Sequence, residues 1–100
     1  MEYNKLVRDR IPEIIEQAGK VPLTHIASDG EYWNKLKEKL QEEVDEFSEK
    51  ETKEELADVL EVVKAICDFK KIENLENLRK SKAEKRGGFR NRIILEEVKG

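Results

Sequence analysis

The feature that most constrains this chain is a pair of apolar stripes that stop and restart around Lys50-Glu51-Thr52. Before the break, Trp33, Leu36, Leu40, Val44 and Phe47 recur at three- and four-residue intervals, the mark of one apolar face on a helix. After it, Leu56, Val59, Leu60, Val62, Val63, Ile66, Cys67 and Phe69 cover about half of a helical circumference. An arc that wide packs on more than one neighbour. Ser28 or Asp29 can cap the first helix and Thr52 the second, and so short a turn forces the two to run antiparallel. The expected core is an antiparallel helix pair.

Around this pair the sequence is less regular. Met1 to Val7 reads as extended or irregular. A short helix follows from about Ile11 to Ala18, with Pro12 tolerated in its first turn and Gly19 stopping it. Val21 to Ala27 alternates enough for a brief strand, which Pro22 restricts to an edge or a strand start. A polar helix runs from about Glu73 to Arg86 and ends at Gly87-Gly88. The expected fold class is mainly α, with a small β element formed by residues near 21–27 and 89–97, in a single domain spanning residues 1–100.

Composition narrows the function classes. Charged residues make up 43% of the 100 residues and apolar ones 37%, so the core is thin for its surface and association with other copies is expected, as a dimer or tetramer. A net charge of −3 argues against a general nucleic-acid or membrane-surface binder. The single cysteine, Cys67, allows no disulfide within the chain and suits a reducing cytosol. The opening MEYNKLVRDR is too polar for a signal peptide, and no apolar run reaches the roughly 20 residues of a membrane span. The expectation is a soluble cytoplasmic protein, complete as given.

Chemistry concentrates in Gln41 to Leu60, where nine of twenty residues are acidic. Glu43 and Glu46 are three apart on the first helix, and Glu55 and Asp58 are three apart on the second, so each pair shares a face. In an antiparallel hairpin centred between Lys50 and Glu51, Glu46 lies opposite Glu55 and Glu43 opposite Asp58. Two carboxylate rungs then face each other across the pair. At about 100° per residue, Glu43 and Glu46 flank the first apolar stripe, Glu55 falls inside the second arc and Asp58 at its edge. Asp45, Glu49, Glu54 and Glu61 point to the polar side. An ionised carboxylate on an apolar face is costly unless compensated, and hard divalent cations with oxygen ligands compensate it. Bound there, such ions polarise a phosphoryl group and activate water.

The same acids also admit a plainer role. Thr52-Lys53-Glu54-Glu55 fits a capping box in which Glu55 bonds back to the Thr52 backbone. Lys39–Glu43 and Glu46–Lys50 are spaced for surface ion pairs.

The combination EEVDE … ELAD between amphipathic helices resembles the MazG-like all-α nucleoside triphosphate pyrophosphatase superfamily, whose signature is E-x-x-E on one helix and E-x-x-D on the next. YNKLVRDRIPEII (Tyr3 to Ile15) and RGGFRNRIILEEV (Arg86 to Val98) are similar to the flanks of small stand-alone members described as phosphoribosyl-ATP pyrophosphohydrolase-like. The resemblance spans nearly the whole chain. One departure stands out: only eight residues separate Glu46 from Glu55, where many relatives have a longer loop.

The resemblance implies Mg²⁺-dependent cleavage between the α- and β-phosphates of a nucleotide, with Mn²⁺ as a substitute metal. It assigns the metal to Glu43, Glu46, Glu55 and Asp58, and catalytic roles to Glu42, Glu43 and Glu46. House-cleaning of unwanted nucleotides is the expected task. Phosphoribosyl-ATP hydrolysis in histidine biosynthesis is the alternative within the class, and a non-catalytic helical interaction module is the alternative outside it.

Arg79, Lys82 and Arg86 form one basic helix face with Lys85 beside it, suited either to substrate phosphates or to a helix C-terminal dipole. Lys5 and Arg8 are further candidates for substrate binding or for local ion pairs. His25, the sole histidine, has no Ser or Cys partner in a recognisable motif.

Overall fold

A computed structural model describes residues 3–100. It contains four helices: α1 (Ile11–Gln17), α2 (Asp29–Lys50), α3 (Lys53–Lys70) and α4 (Leu75–Arg86). Met1 and Glu2, the start of the stretch expected to be irregular, lie outside the described residues.

Local chemistry explains the boundaries. Pro12 sits in the first turn of α1, where its missing N–H has no intrahelical partner to lose, and Gly19 leaves the helix at a φ of 81°. Ser28 caps α2 by accepting from the Glu31 N–H at 3.3 Å, and Thr52 caps α3 by accepting from the Glu55 N–H at 3.3 Å. Between them only Glu51 and Thr52 connect the helices. Glu51 closes α2 in the left-handed conformation, φ 56°, and donates its N–H to the Phe47 carbonyl at 2.7 Å. Asn74 is also left-handed, which delays α4 to Leu75 rather than the Glu73 expected from sequence.

Thr52 thus both turns the hairpin and starts its second arm. Thr52→Ala is expected to lose about 1 kcal/mol, which for a domain of this size lowers Tm by about 4–8 °C. Thermal denaturation followed by circular dichroism measures it, and a change under 1 °C would remove the cap from the account.

The packing confirms an antiparallel pair. Tyr32 and Trp33, near the start of α2, meet Phe69 at the end of α3, with ring centroids 5.1 and 6.1 Å apart. Lys70 lies 4.1 Å from the centroid of the Trp33 ring and closes this end. Leu36 (1% exposed) and Val62 (8%) are the buried apolar residues between the two helices. Helices α1 and α4 make no comparable packing, and the molecule extends over 63 × 31 × 24 Å.

The expected β element does not form. Among the described residues there is no strand, and Val21, Leu23, Ile26, Phe89, Ile93 and Leu95 are all largely exposed. Alternation marks a segment that is able to pair but does not supply the pairing edge. Here Pro22 removes one donor, and the exposure of both segments shows that neither has found a partner edge.

Candidate metal centre on the helix hairpin

Three of the four carboxylates singled out by spacing converge. Glu43, Glu55 and Asp58 each present an oxygen within 4.8 Å of the others. Glu43 is opposite Asp58 in the hairpin register, and Glu55 lies one turn from Asp58 on α3. Glu43 is 9% exposed, the buried charge of the hairpin. Its carboxylate takes Lys39 Nζ at 3.2 Å, one turn back on α2. Glu55 is not held by a reciprocal capping box: its backbone N–H donates to Thr52, while its side chain joins the cluster.

Glu46 falls outside the cluster. Lys50 lies 3.2 Å from the Glu46 carboxylate and 3.6 Å from that of Glu55, so a lysine bridges the rung nearest the turn. The carboxylates of Glu46 and Glu55 raise the Lys50 ammonium above its ordinary pKa, the Glu46 hydrogen bond contributing most. Both spaced ion pairs of the plainer reading therefore form, beside the convergent acids and not in place of them.

The N-terminal segment lies across this site. Arg8 donates to Asp58 Oδ1 at 2.7 Å, and Lys5 donates to Glu42 Oε1 at 3.0 Å. Lys35 anchors the same segment through the Asn4 carbonyl at 2.6 Å. Partial burial pushes the Glu42 carboxyl up, but the Lys5 hydrogen bond and the charges of Lys39 and Lys5 outweigh it, leaving Glu42 below its ordinary value. The Glu42 hydrogen bond in turn raises the Lys5 ammonium. Sequence reasoning selected Lys5 and Arg8 without their partners, because contacts 37 and 50 residues apart leave no local signal.

The basic face of α4 is not brought to the acids. Arg79 is committed to Glu76, with 2.6 Å between Nη2 and Oε1, and Lys82, Lys85 and Arg86 are exposed on a helix that does not pack on the hairpin. His25 accompanies Glu31 at 2.9 Å, a local pairing with no nucleophile beside it. Asp45, Glu49, Glu54 and Glu61 are exposed, as their helical positions predicted.

The donor set fits a hard cation. All three groups are carboxylates, and octahedral Mg²⁺ at about 2.1 Å needs cis oxygens about 3 Å apart and trans oxygens about 4.2 Å apart. The three oxygens, within 4.8 Å of one another, lie close to the wider of these separations.

No family model matches the chain, and no solved structure matches it. A protein of Mycolicibacterium smegmatis (strain ATCC 700084 / mc(2)155), described as uncharacterized, is 49% identical over 49 residues. Those residues are 49% of this chain and 50% of that protein. The chain thus spans about half the length of the relative it matches. Among the described residues, no helix is long and apolar enough to cross a membrane.

Proposed function

We propose that this chain is a cytoplasmic, Mg²⁺-dependent nucleotide pyrophosphohydrolase of the MazG-like all-α type, acting on nucleoside triphosphates. The observation that carries the reading is the convergence of Glu43, Glu55 and Asp58 across the two helices. It is supported by the E-x-x-E and E-x-x-D spacing that led to those residues.

In this reading Glu43, Glu55 and Asp58 hold the cation, and Glu46 joins them when it exchanges Lys50 for metal. The bound ion supplies Lewis-acid polarisation of the phosphoryl group and a more acidic water. Attack of that water on the α- or β-phosphorus would break the α–β anhydride bond, the water's proton passing to bulk solvent, and would give monophosphate and pyrophosphate. Glu42, hydrogen-bonded by Lys5 at 3.0 Å beside Glu43, is placed to orient that water. Arg8 and Lys5 already stand at the mouth of the site and would turn from carboxylates to phosphate oxygens as substrate enters.

Pyrophosphate release from a panel of nucleoside triphosphates, with and without Mg²⁺, tests the reading. No metal-dependent release from a folded protein would overturn it. Calorimetry separates the non-catalytic module, which needs no Mg²⁺ at these acids, and rescue of a strain lacking phosphoribosyl-ATP hydrolysis separates the histidine-pathway alternative.

Arg8 gives a second, finer test. Its pair with Asp58 is exposed on both sides, so its loss is expected to cost less than about 1 kcal/mol. Arg8→Ala also removes a cation that competes with metal. The expected outcome is Mg²⁺ binding tightened several-fold at low ionic strength and turnover reduced. Weaker Mg²⁺ binding by calorimetry would contradict the competition.

A further inference from the structure

Each of the three convergent carboxylates has a cation against one of its oxygens. Lys39 Nζ stands 3.2 Å from Glu43 Oε1, Arg8 Nη2 donates to Asp58 Oδ1 at 2.7 Å, and Lys50 Nζ is 3.6 Å from Glu55 Oε1. Among the described residues no other ion pair reaches these acids.

The three cations are not equivalent. The Arg8 and Lys50 side chains are 57% and 56% exposed, so water and salt compete for them and both can leave as an ion enters. The Lys39 side chain is 18% exposed and that of Glu43 beside it 11%. Lys39 also lies 3.5 Å from Glu42 Oε2 and one turn before Glu43 on α2, so the helix itself keeps the pair in register. Moving Lys39 into solvent would leave Glu43, the buried charge of the hairpin, without its partner.

A carboxylate with an ammonium against one oxygen has the other left for a metal. Such a ligand is monodentate, and that distinguishes between hard cations. Mg²⁺ takes about six oxygens in a near-ideal octahedron and keeps its waters, so single carboxylate oxygens completed by water or phosphate suit it. Ca²⁺ takes about six to eight oxygens at about 2.3–2.6 Å and gathers them readily from bidentate carboxylates. Repulsion from the ammonium acts alike on two ions of equal charge and drops out of the comparison between them.

We infer, on the metal reading proposed above, that Lys39 sets the choice of cation: by occupying one oxygen of Glu43 it keeps that ligand monodentate and selects Mg²⁺ over Ca²⁺. Arg8 and Lys50 are then the counterions that exchange, and Lys39 is the one that stays.

Calorimetric titration of the full chain with Mg²⁺ and, separately, with Ca²⁺ tests the assignment. The wild type is expected to bind Mg²⁺ at least about tenfold more tightly than Ca²⁺. In Lys39→Met both ions should bind more tightly, because a positive charge is gone, and Ca²⁺ should gain at least about tenfold more than Mg²⁺. Lys39→Gln separates the donor from the charge. Its amide can reach Glu43 one turn on, as Gln41 reaches Asp45 at 2.8 Å on the same helix. It is expected to tighten both ions and to keep the wild-type preference within about threefold. Circular dichroism checks the fold of each variant, and if Lys39→Met does not fold, the wild-type ratio and Lys39→Gln decide. Equal affinity of the wild type for the two ions would overturn the inference and leave the metal reading standing. So would an unchanged ratio in Lys39→Met, or a loss of preference in Lys39→Gln. A folded wild-type chain that binds neither ion would overturn both.

Discussion

Glu55→Gln is expected to reduce Mg²⁺-dependent pyrophosphate release by at least about 10²–10³-fold, while Glu54→Gln leaves it unchanged. The two acids are neighbours in sequence and differ by one step round α3. Glu55 shares its oxygens with Glu43 and Asp58, whereas Glu54 is exposed and outside the cluster. Glutamine keeps the size and helix propensity of glutamate and removes only the charge. It does not disturb the start of α3, because Thr52 is bonded by the Glu55 backbone and not by its side chain. Stability should move the other way from activity. Three carboxylates within 4.8 Å repel, and among the described residues Glu55 has only Lys50, 3.6 Å away, as an ion-pair partner. Neutralising one of them is expected to leave the metal-free protein as stable or slightly more so, and to remove the rise in Tm that Mg²⁺ gives the wild type. A purely structural acid would show the opposite: lower stability with no change in metal response. Equal activity of the two variants would end the metal-centre reading.

What the sequence made legible was the local and the periodic. Three- and four-residue spacing located both arms of the hairpin, Ser28 and Thr52 marked their starts, and the centre between Lys50 and Glu51 placed Glu43 opposite Asp58. These depend on helix geometry alone, and helix geometry is nearly invariant. Glu46 shares a rung with Glu55 through Lys50 but stands outside the convergent group, because registry fixes where a Cβ lies, not which partner its carboxylate takes. Lys50 sits one turn ahead on the same helix and wins locally. On α4, Glu76, three residues before Arg79, pairs with it locally, while Lys82, Lys85 and Arg86 stand exposed. The β element required two distant segments to meet, and nothing in their alternation fixes where the chain carries them. Nor did any pattern announce that Arg8 would cross fifty residues to reach Asp58.

Leu36→Ala is expected to be the most damaging single change to the fold. Leu36 is 1% exposed and is the one fully buried large side chain among the described residues. Truncating a buried leucine to alanine costs about 2–5 kcal/mol, from lost burial and from the cavity left behind. Domains of this length have about 5–15 kcal/mol in all, and one with two buried apolar residues belongs at the low end. The expected fall in Tm is therefore at least 10 °C, with partial loss of helical signal at 37 °C. Leu60→Ala provides the contrast. It removes the same atoms from the partner helix, but at 69% exposure they are already in water, so in dilute solution its cost is expected to stay within about 0.5 kcal/mol. Thermal denaturation of both variants in dilute solution reads the difference directly. If Leu36→Ala shifted Tm by no more than Leu60→Ala in dilute solution, the interior of the hairpin would not be where this fold is held.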